Sequence, residues 1–308
     1  MKQTDRPLPQ KESPNGEPNG IGFGVLIPLV LIQQTLGALC FPVGRYGLGI
    51  IEPFTFAFYR FLLATVVLLA LTKLRKQDPP IERADYGRIV VLGLIIILGN
   101  QVMYLWGQSL TAAGHGSVLF ATTPIWVMIL AAIFLREHLT WKKIVGGSLA
   151  VAGAFTIITA GSLKLGAEYL VGDLIILVSV WAWAVYAILG KPLAEKYGAL
   201  RITAYALSAG ALAYAPFGLY RAITFDYSKA TVGGWMTVIY FALGSSVASY
   251  VIWYWLLKKM TASRLAVYSN IQPILATSVA YFALGERLGL PFFIGGSIVL
   301  VGVILTEL

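Results

Sequence analysis

The segment VLFATTPIWVMILAAIFLREHLTWKKIVGGSLAVAG, residues Val118–Gly153, returns without a gap as VYSNIQPILATSVAYFALGERLGLPFFIGGSIVLVG, residues Val267–Gly302. The copies share Val118/Val267, Pro124/Pro273, Ile125/Ile274, Leu135/Leu284, Glu137/Glu286 and Leu139/Leu288. They also share Gly146/Gly295, Gly147/Gly296, Ser148/Ser297 and Gly153/Gly302. Upstream, the same alignment pairs Leu94 with Leu243, Val102 with Val251 and Trp106 with Trp255. A membrane chain duplicated in this way builds one substrate path between its halves, near the bilayer midplane.

The chain is 58% hydrophobic and only 12% charged, far from the composition of a soluble domain. Apolar runs of membrane-spanning length predict ten helices near 22–43, 54–72, 89–109, 114–135, 142–160, 172–190, 202–220, 233–257, 265–284 and 290–306. Residues 1–20 are polar and rich in proline, and are expected to form a disordered tail. The first apolar run exceeds a signal-peptide core and carries Gln33 and Gln34, so it is expected to stay as a helix. The single cysteine, Cys40, cannot form an internal disulfide. No motif suggests a cofactor, a metal cluster or an enzymatic nucleophile.

With ten spans, seventeen Lys and Arg fall on one side of the membrane, five on the other, and Arg60 within it. The positive-inside rule places both termini in the cytoplasm. The net charge of +9 is therefore a topology signal, and nucleic acid is not an expected partner. Five spans per half is odd, so the second half enters from the opposite side. The expected fold is all-α integral membrane, with ten transmembrane helices in two inverted-topology five-helix repeats around a central cavity. The domains are then the tail, a first repeat over 21–160 and a second over 161–308.

Several segments carry a family resemblance. They are Tyr59-Arg60-Phe61-Leu62-Leu63-Ala64, Trp181-Ala182-Trp183-Ala184, and the paired Leu135-Arg136-Glu137-His138-Leu139 and Leu284-Gly285-Glu286-Arg287-Leu288, each followed by Gly-Gly-Ser. The chain resembles the drug/metabolite transporter superfamily in its ten-helix EamA-type form, over nearly everything after residue 21. Within it, the chain looks like the aromatic amino-acid exporter branch. The resemblance implies a basket-like bundle in the bacterial inner membrane, with the fifth and tenth helices at the periphery. It also implies export of aromatic or other hydrophobic amino acids, no cofactor, and no enzymatic activity.

The candidate site lies at the repeat centre. Pro124 and Pro273 each remove a helical hydrogen bond, which is expected to free the carbonyls of Phe120 and Ser269. Such breaks belong beside protein or a wet cavity, and we read the two prolines as helix-break and gating positions. Gln33, Asn100 and Asn270 are amides at membrane depth. Ser117, Thr122, Thr123 and Ser249 supply hydroxyls, and Tyr104, Trp183, Tyr186, Tyr250, Trp253 and Tyr268 supply rings with polar handles. Interhelical bonding and helix packing are the competing roles for each. Asn100 and Tyr104 share a helix face, as do Ser246, Tyr250 and Trp253. Trp141 and Trp235, at span ends, are assigned to the interfacial belt. Rings, donors and freed carbonyls together suit an amphipathic amino acid.

Arg60 is the one cation within a predicted span, a position that is functional by default. A structural bond to a carbonyl competes with a contact to a substrate carboxylate. All fourteen Asp and Glu lie in loops, the tail or span ends. His115 can titrate but stands at a helix start, so proton coupling is not expected. Glu137 and Glu286 are expected to dock the fifth and tenth helices through their N-terminal dipoles. Gly146, Ala150 and Ala154, with Gly295, Gly296 and Gly302, allow close helix approach, either as scaffold or in a weak homodimer. Three readings compete: an amino-acid exporter, a broader metabolite or drug efflux carrier, and a non-transporting sensor or scaffold. The sugar-phosphate reading lacks central cations, and cationic drug efflux lacks a central carboxylate.

Overall fold

A computed structural model describes residues 23–75, 79–111, 113–159, 167–284 and 289–307. The expected disordered tail and Glu286 lie outside the described residues, as does the side chain of His115. Among the described residues there are helices and no strand. Eight helices among the described residues are long and apolar enough to cross a membrane: Gly24–Leu48, Pro53–Leu74, Arg83–Leu110, Trp141–Thr159, Leu170–Tyr197, Ala199–Thr224, Val232–Leu257 and Leu290–Glu307. The fourth and ninth spans are present but broken. The fourth runs Ala113–Ala121 and Thr123–Phe134; the ninth runs Ala262–Tyr268, a tight turn at Ser269–Ile271, then Gln272–Leu284.

Local chemistry explains the helix ends. Glu52 caps the second span by accepting the Thr55 amide at 2.9 Å, with Pro53 opening the first turn. Thr231 caps the eighth by accepting the Gly234 amide at 3.2 Å, and Thr261 caps the ninth. The sixth and seventh spans are continuous except at Gly198, whose φ of 87° lets the chain reverse. The outer surface is apolar: Leu212, Ile223, Ile133 and Ile304 are all well exposed, as lipid-facing residues of an integral membrane protein should be.

The two breaks occupy matching places in the repeat, Thr122 and Ile271, one just before each proline. The freed carbonyls do not stay bare, contrary to expectation. Phe120 O accepts the Thr123 hydroxyl at 2.5 Å, and Ser269 O accepts the backbone N–H of Gln272 in the tight turn. A hydroxyl and a shortened turn are the cheapest local donors once proline has removed the regular one.

The fifth and tenth spans pack on each other through glycine. A Cβ on Gly153 would stand 2.6 Å from Gly295 O and from Val299 N, and one on Gly146 would stand 2.6 Å from Gly302 O. The small-residue stripe is thus spent inside the chain, which removes the basis for reading it as a dimer surface.

Glu137 does not cap the fifth helix as expected. Its carboxylate accepts the amides of Ala262 (2.8 Å) and Ser263 (3.2 Å) and the Ser263 hydroxyl (2.8 Å), all in the first turn of the ninth span. It also pairs with Lys191 of the sixth span at 3.2 Å. Burial pushes the carboxyl up, but the Lys191 ammonium and the Ala262 and Ser263 bonds outweigh it and hold it below the ordinary glutamate range. A helix N-terminus attracts an anion, and the nearer one in space is that of the ninth helix. This clamp ties the loop before the fifth span to the sixth and ninth spans.

Candidate functional site

At the end of the bundle away from this clamp, a cavity of about 610 Å³ reaches the level of the two helix breaks. The fifth and tenth spans contribute Ile157, Ile158, Pro291 and Phe292 to it, so they are not wholly peripheral. Its aromatic walls are Phe41, Tyr104, Phe120, Trp183, Phe241 and Trp253. Tyr104 meets Phe120 edge-on at 5.2 Å, and Trp183 lies 5.4 Å from Trp253.

Two chains of amides line the polar parts and tie different spans together. Gln272 Nε2 donates to Gln34 Oε1 (2.7 Å), Gln34 Nε2 to Gln33 Oε1 (2.6 Å), and Gln33 Nε2 to Ser249 Oγ (3.1 Å). This chain links the ninth, first and eighth spans. Opposite, Gln101 donates to Asn100, whose Nδ2 donates to Ser179 O (2.7 Å) and Ser179 Oγ (3.1 Å) on the sixth span. Each network has one end, Ser249 in the first and Asn100 with Gln101 in the second, on backbone wider than an α-helix. Ile95–Val102 and Phe241–Ser249 are π-helical, and they overlap under the repeat that pairs Leu94 with Leu243. Such turns are rare and concentrate at functional sites.

Of the candidates from sequence, Gln33, Asn100, Tyr104, Trp183, Trp253 and Pro273 line the cavity, as do Thr123 and Ser249. Tyr186 and Tyr250 lie one layer behind, their rings 5.8 and 5.2 Å from Trp183. Tyr186 O also accepts the Tyr254 hydroxyl at 2.9 Å, so this layer is a buried support. Pro124 adjoins the lining residue Thr123. Tyr268 is buried outside the lining. Asn270 lies outside the lining; with its amide suitably oriented it donates to Ala121 O (3.0 Å) and accepts from Val151 N (3.1 Å), joining the ninth span to the fourth and fifth. Trp235 packs 4.9 Å from Tyr59 and 6.4 Å from Tyr227, and Trp141 is well exposed.

Arg60 is 1% exposed and stands behind the cavity wall. Its Nε donates to Ser246 Oγ (2.9 Å) and its Nη2 to Ser245 Oγ (3.2 Å). The guanidinium carbon lies 4.9 Å from the Phe241 ring centre and 5.4 Å from that of Phe61. Hydroxyls and ring faces therefore take the place of the expected carbonyl. Sequence reasoning missed Gln101, Gln272 and Ser245, and also Phe41 and Phe120. Gln101 adjoins the deep amide Asn100 and Gln272 adjoins Pro273, which was the available signal for those two; Ser245, Phe41 and Phe120 carried none.

Comparisons with known proteins agree with this architecture. A model of the EamA-like transporter family matches residues 25–159 and again 170–308. The uncharacterized transporter YetK of Bacillus subtilis is 30% identical over 287 residues, covering 92% of this chain and 87% of YetK. A probable terminal-alkyne amino-acid exporter of Streptantibioticus cattleyicolor is 29% identical over 269 residues, covering 87% of this chain and 88% of the exporter. A crystal structure sharing 18% identity superposes with a TM-score of 0.76, over 92% of this chain and 96% of that one. A break-centred cavity between two copies of one five-helix pattern and a family match to each copy lead to one assignment: the chain belongs to the EamA-like transporter family.

Proposed function

We propose that the protein exports amino acids, aromatic or hydrophobic ones foremost, across the bacterial inner membrane by alternating access of two inverted repeats, residues 21–160 and 161–308. The observation that carries this reading is the cavity itself. Its volume of about 610 Å³ falls in the usual range for small-molecule sites, and rings alternate there with amide and hydroxyl groups. A side chain that stacks on Trp183 or Phe120 gains about 0.5–1.5 kcal/mol per ring pair beyond burial. The family membership and the amino-acid exporter among the relatives support the same class.

With the basic loops in the cytoplasm, the Glu137 clamp lies at the cytoplasmic end and the cavity opens outward. Release to the outside is the step this state serves. No carboxylate lines the cavity among the described residues, which favours transport down the substrate gradient without proton coupling. The Gly153–Gly295 contact within one chain favours a monomer.

The test is uptake of a panel of radiolabelled amino acids into proteoliposomes. Aromatic and branched apolar ones should enter faster than Ser, Asp or Lys, and collapse of the pH gradient should leave the rate unchanged. Equal rates for all, or none, would refute the substrate reading; concentrative uptake driven by pH alone would refute the uncoupled mechanism.

A further inference from the structure

We infer that the wall formed by Ser245 and Trp253, with Arg60 and Tyr250 behind it, is a carboxylate subsite that makes the transporter select substrates bearing an acid group. This rests on the amino-acid reading above and says which end of the substrate that wall recognises. The first observation is a charge without a counter-charge. Arg60 is fully buried, yet no acidic side chain pairs with it among the described residues. Its titratable neighbours are Tyr250, Cys40 and Tyr104, none of them an acid. A buried cation is normally paired or drawn to water.

The second observation is an excess of donors in the same wall. Trp253 Nε1 is buried and makes no hydrogen bond among the described residues, and Arg60 Nη1 has no acceptor beyond the Tyr250 hydroxyl beside it. Tyr250 lies beside the guanidinium, and Tyr250 and Trp253 both pack on Trp183. The guanidinium and the indole N–H can only donate. A buried group of donors lacking acceptors calls for an anionic acceptor.

The third observation is access. Trp253 and Ser245 line the cavity, as do Cys40 and Phe241 around the guanidinium. A carboxylate entering there meets the Ser245 hydroxyl, whose oxygen accepts from Arg60, and a turn of the Trp253 ring would bring its buried indole N–H within reach. Cys40 lies beside the same hydroxyl and is a weak acceptor, which an incoming carboxylate oxygen would replace. The fixed positive charge also repels a substrate whose acid has been masked while its ammonium remains.

Three probes separate the contributions: L-phenylalanine, L-phenylalaninamide and 3-phenylpropionate, bound to the purified full chain in lipid nanodiscs. The wild type should bind phenylalanine and phenylpropionate at least about tenfold more tightly than the amide. Arg60→Gln should bring all three within about twofold, chiefly by weakening the two acids, while Arg60→Lys should keep part of the preference. Trp253→Phe retains the ring and removes only the N–H, and Ser245→Ala removes only the hydroxyl. Each should cut the acid preference severalfold, so the test survives if the Arg60→Gln protein does not fold. Equal binding of phenylalanine and its amide by the wild type, or full preference in both Trp253→Phe and Ser245→Ala, would overturn the subsite and leave the exporter reading standing. Failure of every probe to bind would overturn both.

Discussion

Replacing Glu137 with alanine removes the clamp between the loop before the fifth span and the first turn of the ninth. The carboxylate is 7% exposed and its partner Lys191 15%, so neither end is rescued by bulk water. Alanine strands the Lys191 ammonium and frees two backbone N–H groups and the Ser263 hydroxyl. Breaking a buried pair from one side costs about 3–5 kcal/mol, and we expect the variant to lose an amount in that range. At about 2–4 °C per kcal/mol for chains of a few hundred residues, the apparent melting temperature should fall by on the order of 10 °C. Glu137→Gln keeps an acceptor oxygen and should lose about half as much. The double variant Glu137→Gln, Lys191→Met should be more stable than the sum of its parts, because it leaves no unpaired charge. The pH dependence has a definite sign. The folded protein holds the Glu137 proton less tightly than the unfolded chain does. The stabilisation is therefore complete above the ordinary glutamate value of 4.5 and is lost as pH falls through the lower folded value. Thermal scans by size exclusion at pH 7 and across pH 5 to 3 would measure this. An alanine variant within about 2 °C of wild type at pH 7, or an unchanged acid profile in the glutamine variant, would refute the reasoning.

Asn270→Ala should lower thermal stability, by about 1–3 kcal/mol for the stranded Ala121 and Val151 backbone groups, whereas Trp183→Ala should abolish transport with a smaller loss of folded yield. Gly153→Ala should destabilise by about 1–3 kcal/mol through overpacking, because Gly295 O and Val299 N are backbone and cannot swing aside; a wild-type melting curve would contradict the close approach. Pro124→Ala and Pro273→Ala should favour opposite access states, read as opposite changes in labelling of cavity cysteines from the two sides. Unchanged labelling and normal transport in both would remove the prolines from the gating role.

The sequence announced the repeat, the spans and the break positions, because hydropathy and proline act locally and leave periodic traces. Gln33, Asn100, Tyr104, Trp183 and Trp253 were legible as cavity residues because a polar or amphipathic group at membrane depth has few other uses. Gln101 was not, since helical periodicity assigns one face to Asn100 and turns its neighbour away, whereas the wider π turn brings both to the lining. Gln272 was hidden for a related reason: the tight turn before it sets its direction, not a regular helix. The partner of Glu137 was illegible because the first turn of the ninth helix is distant in sequence and adjacent only in the folded bundle. Asn270 was read by depth alone, and in the fold it joins three helices.

The two π segments hold more than unusual backbone. Relative to an α-helix, each contains a turn with a residue to spare, so each half of the protein carries a surplus amino acid that its helix does not need. Deleting one residue between Ile95 and Val102 should heal the third helix rather than break it. The two parts of that helix would then keep nearly their present orientation, because the wider turn already absorbs the extra residue, while the side chains within the turn would be redirected. Asn100 and Gln101 would no longer both face the cavity, while length and hydropathy stayed nearly constant. Such a change is invisible to any comparison that counts matching residues, yet it would rewrite the chamber. Relatives that differ here by a single-residue gap are therefore expected to differ in what they carry, however similar the rest of their chains.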